Sequence, residues 1–148
     1  MTAADNLSLP QFSSLERKVL TQRSVWDEPA NAHHVAALVE RHTTKAPTLH
    51  RGVAGMDATG LKEGASMSIP HPASFSTDPD TAADFALGDN SHDHRTVFHV
   101  SGAAGVPVHH VSNIPHEQEW LARGEFTVAR VVHAPEDDVN HHVWLRPS

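Results

Sequence analysis

Two glutamates near the C-terminal end of the chain, Glu117 and Glu119, are separated by a single residue. Because side chains alternate between the faces of a β-strand, a strand at this point would direct both carboxylates to the same face. Trp120 would take the opposite face, and the alternation resumes at Phe126-Thr127-Val128 after a predicted turn at Arg123-Gly124. Such a pair can face a cationic group, although a lone carboxylate pair is more commonly a solvated face of an edge strand.

An arginine and two serines upstream also occupy predicted strands. Arg51 lies in a short strand that ends at a glycine, among residues expected to be buried, and its charge there requires an anion. In the strand predicted over Ala73–Thr77, Ser74 and Ser76 share one face and Phe75 takes the other. The alternatives are a structural ion pair for the arginine and ordinary strand hydroxyls for the serines.

In sequence order, Arg51-Gly52, Ser74-Phe75-Ser76 and Glu117-Gln118-Glu119 resemble the arginine, serine-x-serine, glutamate-x-glutamate pattern of mono-ADP-ribosyltransferases. This class includes clostridial and cholera-type toxins and arginine-modifying enzymes of phages and vertebrates, and the resemblance extends from about Thr48 to Leu145. The last motif is the most specific, because hydrophobic residues, a glycine and Phe-x-Val follow it as in the family. The middle serine-motif position departs from the usual threonine, so an alternative register at Ser76-Thr77-Asp78 stays open.

The resemblance implies catalytic roles for four residues in an enzyme that breaks the bond between the nicotinamide and the ribose of NAD. Glu119 would stabilise the positive charge that develops on the ribose, and Ser74 would hold its carboxylate in position. Arg51 would bind the pyrophosphate with a charged planar donor group. Glu117 would orient or deprotonate an incoming arginine guanidinium.

The resemblance also implies a set of NAD-binding residues. Arg51 belongs to it, as do Ser74 and Ser76. Gly52 would let backbone groups approach the carboxamide of nicotinamide, where a side chain would collide. Phe85, nine residues after Ser76, would stack on nicotinamide, and a core contact between helix and sheet is the alternative.

These roles imply an NAD-dependent mono-ADP-ribosyltransferase that modifies a host protein. The resemblance implies arginine as the acceptor, because the chain has Glu117 at the position where a glutamine is associated with other acceptors. Two alternatives stay open: an NAD glycohydrolase, and a catalytically inactive transferase-fold module that binds or supports other molecules. No catalytic metal is expected. The fourteen histidines include no H-E-x-x-H motif, and adjacent pairs such as His141-His142 would point to opposite strand faces.

The elements that must position these residues change from helices to strands along the chain. Residues 1–12 are expected to be loosely ordered and residues 13–148 to form one catalytic domain of the α+β class. Helices are predicted from Ser13, over about Asn31–His42, and after a turn and N-cap within Asp78–Thr81. Strands are predicted over residues 48–53, 73–77, 96–100, 106–111, 119–121, 126–132 and 142–145. In the family this order produces two packed antiparallel sheets that form the NAD cleft, with N-terminal helices covering them.

Composition narrows the possible partners. The formal net charge of -7 gives no support to nucleic acid binding, although a nucleic acid acceptor is left open. The absence of cysteine excludes disulfides and thiolate sites, and no apolar run or leader pattern suggests a membrane. We expect a cytoplasmic monomer, in the host cytoplasm if the protein is phage-encoded or delivered as an effector. The loops Ser112–His116 and Leu87–Arg95 would select its target.

Overall fold

The computed structural model describes residues 11–14, 16, 29–88, 93–108 and 118–148 of the chain. The helices and strands within this part are α1 (Pro29–His42), β1 (Thr44–Lys45), β2 (Leu49–Ala54), β3 (Ser66–Ser76), α2 (Pro79–Leu87), β4 (Arg95–Val100), β5 (Ala104–Pro107), β6 (Glu119–His133) and β7 (His141–Pro147). None of these helices is long and apolar enough to cross a membrane. The sequence of elements confirms the predicted α+β class.

The strands pair in the order β1-β5-β6-β3-β2-β4-β7, and β6 also pairs with β7. All pairings are antiparallel except that of β4 with β7, which is parallel. Because β6 contacts both β3 and β7, the strands β6, β3, β2, β4 and β7 form a closed ring of pairings. The main apolar core is built largely from this ring, with members that include Leu49, Phe75, Phe98, Ala122, Phe126, Val128, Val143 and Leu145.

Strand β6 runs without interruption from Glu119 to His133, so the turn predicted at Arg123-Gly124 is wrong. Gly124 has a φ of 148°, which side-chain-bearing residues rarely adopt, and it pairs with Ile69 of β3. Opposite this glycine, the register of β3 shifts between Ile69 and Ala73. The glycine and the bulge together bend the two strands without ending them.

Most other predicted strands are present. Those predicted over residues 48–53, 96–100 and 142–145 correspond to β2, β4 and β7 with small differences at their ends. Strand β3 begins at Ser66, well before the predicted Ala73. Strand β5 ends at Pro107, and residues 109–111 of the strand predicted over 106–111 lie outside the described residues.

Helix α1 confirms the helix predicted over Asn31–His42 and covers one part of the sheet. Its apolar face packs against β5 and β6 in a second core, formed by Phe12, Val35, Leu38, Val39, Val106, Val108 and Leu121. The helix thereby supports the N-terminal half of β6, in which Glu119 lies.

The helix predicted from Ser13 is described only at its first turn. Ser13 N donates to Glu16 Oε1 over 2.8 Å, and Glu16 N donates to Ser13 Oγ over 3.2 Å. This reciprocal pair is a capping box, as the predicted serine cap requires. Glu16 also lies 3.1 Å from His42 at the end of α1, and this contact joins the two segments.

Candidate active site

Three neighbouring strands bring the predicted motif residues to one cleft. Arg51 lies in β2, Ser74 in β3 and Glu119 at the start of β6, and β3 lies between the other two strands. The cleft has a volume of ≈ 220 Å³. The predicted residues that line it are Arg51, Gly52, Ser74, Ser76, Phe85 and Glu119.

The carboxylate of Glu119 is held in the wall of the cleft. The residue is only 3% exposed, and its Oε2 accepts a hydrogen bond from Ser74 Oγ. Burial of a carboxylate costs free energy unless hydrogen bonds compensate it, and a bond to an ionised acceptor is stronger than a neutral one. Glu119 therefore presents a fixed and largely desolvated negative charge to the cleft.

The guanidinium of Arg51 provides positive charge in the same cleft. Its Nη1 donates to the carbonyl oxygen of Ser74 over 2.9 Å. Burial lowers the pKa of Arg51, but an arginine remains charged at neutral pH. Within the described residues no carboxylate lies at salt-bridge distance from Arg51, so this part of the chain gives no support to the alternative of a structural ion pair. An anionic ligand group would fit this position.

Ser76 lines the cleft and also fixes the chain at the start of α2. Its Oγ accepts a hydrogen bond from Asp78 N over 3.0 Å. The N-cap of α2 is Asp78, the first residue of the stretch predicted to cap this helix, and its Oδ1 accepts from Asp80 N over 3.0 Å. Ser74 Oγ donates to Glu119, which favours the Ser74-Phe75-Ser76 register over one that begins at Ser76.

Helix α2 lies unusually close to strand β2 because position 52 is glycine. A Cβ on Gly52 would lie 1.7 Å from the carbonyl oxygen of Ala82 and 2.6 Å from Ala86 N. The close approach that requires glycine is therefore to the helix backbone, in addition to any approach of a ligand. This docking brings Phe85 of α2 to the cleft, where its side chain is 54% exposed. That exposure argues against the alternative of a core contact for Phe85.

A histidine in the cleft wall was not anticipated from the sequence. His50 lines the cleft, and its Nδ1 lies 2.7 Å from Nδ1 of His99. His99 Nε2 lies 3.0 Å from His142 Nδ1, and its ring stacks on Trp144. Burial, together with the neighbouring His50 and His142, lowers the pKa of His99 to about 4. These contacts join residues of β2, β4 and β7, so no local sequence signal could have identified them.

Three predictions fall wholly or partly on residues that the structure does not describe. Glu117 lies outside the described residues, as does the proposed target loop Ser112–His116. Strand β6 begins at Glu119, and Gln118 has a φ of 50°. The strand alternation that would direct both carboxylates to one face therefore does not extend back through Gln118. Of the loop Leu87–Arg95, residues 89–92 are likewise outside the described part.

The described cleft combines a buried carboxylate, an arginine and an exposed aromatic ring. Such a set fits a ligand that carries an anionic group and a planar ring and that becomes positively charged near Glu119. A dinucleotide with a cationic ring has these properties.

Comparison with known proteins agrees with this geometry. A family model described as NAD:arginine ADP-ribosyltransferase matches residues 33–148. A search of curated proteins found no match.

Several solved structures of bacterial ADP-ribosyltransferases share the fold. The chain is 20% identical to the Vis toxin from Vibrio splendidus in complex with agmatine, with a TM-score of 0.60 over 99% of this chain and 75% of that one. The chain is 19% identical to exoenzyme S from Pseudomonas aeruginosa, solved in complex with human 14-3-3 protein beta and bound to Carba-NAD. The TM-score is 0.62 over 89% of this chain and 65% of that one. The chain is 16% identical to HopU1 of Pseudomonas syringae pv. tomato DC3000, with a TM-score of 0.58 over 91% of this chain and 66% of that one. These likenesses confirm the fold expected from the sequence.

Proposed function

The chain belongs to the NAD:arginine ADP-ribosyltransferase family, and on that premise we propose that it transfers a single ADP-ribose unit from NAD to an arginine side chain of a protein. In this reaction the bond between ribose C1′ and the nicotinamide nitrogen breaks, and its electron pair leaves with nicotinamide. A guanidine nitrogen of the acceptor forms the new bond to C1′ and loses a proton. NAD is thus a co-substrate, and residues 13–148 would form the catalytic domain.

The observation that carries the proposal is the contact between Ser74 and Glu119 at the wall of the cleft. Ser74 Oγ holds the buried carboxylate in one orientation, so that little reorganisation would be needed when positive charge develops on the ribose. A single preorganised group of this kind contributes about 3 to 4 kcal/mol, or a factor of about 10²–10³ in rate. We assign this electrostatic role to Glu119 and the positioning role to Ser74.

Binding of NAD would depend on the opposite wall of the cleft. Arg51 is half-buried, charged and bonded to the Ser74 carbonyl, and these properties suit it to hold a pyrophosphate oxygen. Phe85 is exposed at the edge of the cleft on a capped helix, and an aromatic ring there can stack on nicotinamide. Gly52 keeps that helix close to the strand that carries Arg51.

The choice of arginine as acceptor rests on Glu117 and on the family. A carboxylate at this position can pair with a guanidinium and accept its proton. Agmatine, which is bound to the Vis toxin in its structure, carries the same guanidinium group. If water were the acceptor, the same cleft would act as an NAD glycohydrolase, because the contacts of Glu119 and Ser74 concern only the departure of nicotinamide.

The test compares carboxylate variants with labelled NAD in a host lysate and in defined mixtures with agmatine. Glu119→Gln should lose both NAD cleavage and transfer by about 10²–10³-fold. Glu117→Gln should lose transfer to agmatine and to protein while it keeps part of the cleavage activity. Glu125→Gln is the matched control, because Glu125 lies on the same strand and accepts a hydrogen bond from Ser68 of β3 over 2.7 Å, but its contact is exposed and outside the cleft.

Each outcome separates the candidate functions. Unchanged labelling by Glu119→Gln would reject the assignment of the active site. Cleavage of NAD by the wild type without any transfer would identify a glycohydrolase, and the absence of both activities would identify an inactive transferase-fold module. Hydroxylamine lability of the label would give independent evidence on whether arginine is the modified side chain.

A further inference from the structure

A second cluster of polar side chains lies away from the cleft. Asp57 follows β2, His94 precedes β4 and His141 is the first residue of β7. Each offers one oxygen or nitrogen atom, and these three atoms lie within 4.8 Å of one another. Three segments that are distant in sequence thus converge on one point.

The separations within the cluster approach those of a metal site. His94 Nδ1 lies 2.9 Å from His141 Nε2, and one ligand atom from each of the three residues lies within 4.8 Å of the other two. The other ring nitrogen of His94, Nε2, lies 3.6 Å from Asp57 Oδ2. Because only one His94 nitrogen can bind a given ion, the ring must turn to bring that nitrogen towards both partners. Ligand atoms around tetrahedral zinc are about 3.3 Å apart, given bonds of about 2.0–2.1 Å to nitrogen and oxygen. The side chains of His94 and Asp57 are 40% and 52% exposed, so small rotations can adjust them around an ion. His141, 5% exposed, provides the fixed member.

Contacts around the cluster orient two of these groups. His141 Nδ1 lies 2.8 Å from Nδ1 of His133. When His141 Nδ1 carries the proton and donates it to His133, the lone pair of His141 lies on Nε2, where it can bind a metal. Asp57 Oδ1 accepts from both the amide and the hydroxyl of Thr59, at 2.9 and 2.6 Å. Oδ2, the oxygen nearer to His94, is not engaged by these bonds. Outer contacts of this kind typically orient metal ligands in proteins.

The backbone near the cluster is also held in place. His94 O accepts a hydrogen bond from Gly55 N over 2.8 Å, and Asn140 Oδ1 accepts from Arg95 N over 2.9 Å. The segments that carry Asp57, His94 and His141 are therefore tied together by bonds that do not depend on an ion. A preformed site binds a metal without the cost of ordering these segments.

We propose that Asp57, His94 and His141 bind a divalent transition-metal ion of the zinc type, with water or an external group in the remaining position. Two imidazoles and one carboxylate form a donor set that suits zinc and related borderline ions.

The site would act on stability and not on the proposed transfer reaction. Ala54 pairs with Arg95, and Arg51 pairs with Phe98, so the cluster lies beyond the end of β2 that points away from the cleft. From Arg51 to Ala54 the strand advances by roughly 10 Å. A bound ion would link the start of β4, the start of β7 and the segment after β2, and the proposal does not depend on the function of the cleft.

The experiment titrates the full chain, without a polyhistidine tag and after chelation and dialysis, with Zn²⁺ in a calorimeter. We expect one ion per chain, and a rise in Tm of about 5–10 °C at a hundredfold excess over Kd. Co²⁺ in place of Zn²⁺ should give the visible absorption of a cobalt ion with nitrogen and oxygen ligands. Asp57→Asn and His94→Gln should each weaken binding by about tenfold or more. Asp93→Asn, at an exposed neighbouring position outside the cluster, should bind like the wild type.

Both ligand variants change exposed side chains, so they should unfold like the wild type in the presence of chelator, which verifies that the fold is intact. Zinc binding that both variants retain in full would assign the ion to other histidines and overturn the proposal. A wild type that binds no more tightly than the Asp57→Asn, His94→Gln double variant would overturn it as well.

Discussion

Replacement of Gly52 by alanine should both destabilise the fold and weaken NAD binding. The added Cβ would lie 1.7 Å from Ala82 O, 2.6 Å from Ala86 N and 2.8 Å from Ala82 C. All three are backbone atoms, so no side chain can rotate away, and α2 must move by roughly 1.7 Å to bring the closest pair from 1.7 Å to the 3.4 Å at which ordinary contacts begin. Such overpacking costs about 1–3 kcal/mol. The shift would also disturb the small core of Ala82, Ala86 and Val97, so we expect about 3 kcal/mol.

The unfolded chain gives a partial compensation, because alanine has fewer accessible conformations than glycine there, which is worth about 0.4–1 kcal/mol. The net loss in free energy of unfolding is therefore about 2–3 kcal/mol, measured by urea denaturation. Because α2 carries Phe85, the KM for NAD should rise in the fraction that remains folded. Gly60→Ala is the matched control, since a Cβ there would meet nothing within 4 Å. A loss below about 1 kcal/mol in Gly52→Ala, with an unchanged KM, would refute the argument.

The remaining predictions concern Phe85 and His99. Phe85→Ala should raise the KM for NAD by about 3–10-fold, the range expected for the loss of one aromatic stacking contact. It should change the free energy of unfolding by less than about 0.5 kcal/mol, because the side chain is exposed. A stability loss with an unchanged KM would support the core-contact alternative. For His99, the folded-state pKa of about 4 lies below the ordinary 6.5, so the unfolded chain binds the proton more readily, and stability that is complete above about pH 6.5 is lost as the pH falls to about 4. This loss is at most about 3 kcal/mol, and roughly 2 kcal/mol after partial exposure is allowed for; His99→Phe should flatten the urea-unfolding profile in that pH window, and an equally steep profile would contradict this account.

Features that depend on neighbouring residues along the chain were predictable from the sequence. The alternation that put Ser74 and Ser76 on one face, and the cap within Asp78–Thr81, each involve a few consecutive residues, and the structure has a continuous strand and a helix N-cap at these places. The helix over Asn31–His42 also followed from local periodicity. The three motifs could be combined into one site only through their resemblance to a family, because nothing local specifies that β3 lies between β2 and β6.

Features that depend on distant partners were missed. Arg123-Gly124 has the composition of a turn, but the pairing of this part of β6 with β3 keeps the strand continuous. Gly124 bends the strand without ending it. The parallel pairing of β4 with β7 likewise has no signature in either strand alone. Nothing in the local sequence distinguishes His50 from other histidines in strands. Its contact with His99 arises only from the pairing of β2 with β4.

The two walls of the cleft should respond differently to mutation. On one wall, Ser76 accepts a hydrogen bond from the turn that starts α2, and Gly52 allows the helix to pack closely against β2. Phe85 projects from that helix into the cleft. A change at Ser76 or Gly52 therefore alters the position of α2, and the binding of NAD changes because α2 carries Phe85. On the other wall, the hydrogen bond between Ser74 and Glu119 joins two strands that already share an extended backbone ladder, so its loss leaves the pairing intact. Variants of the first wall should couple stability to KM, whereas Glu119→Gln on the second, which removes the buried charge and leaves the strand pairing, should reduce the rate of NAD cleavage in a protein of nearly unchanged stability.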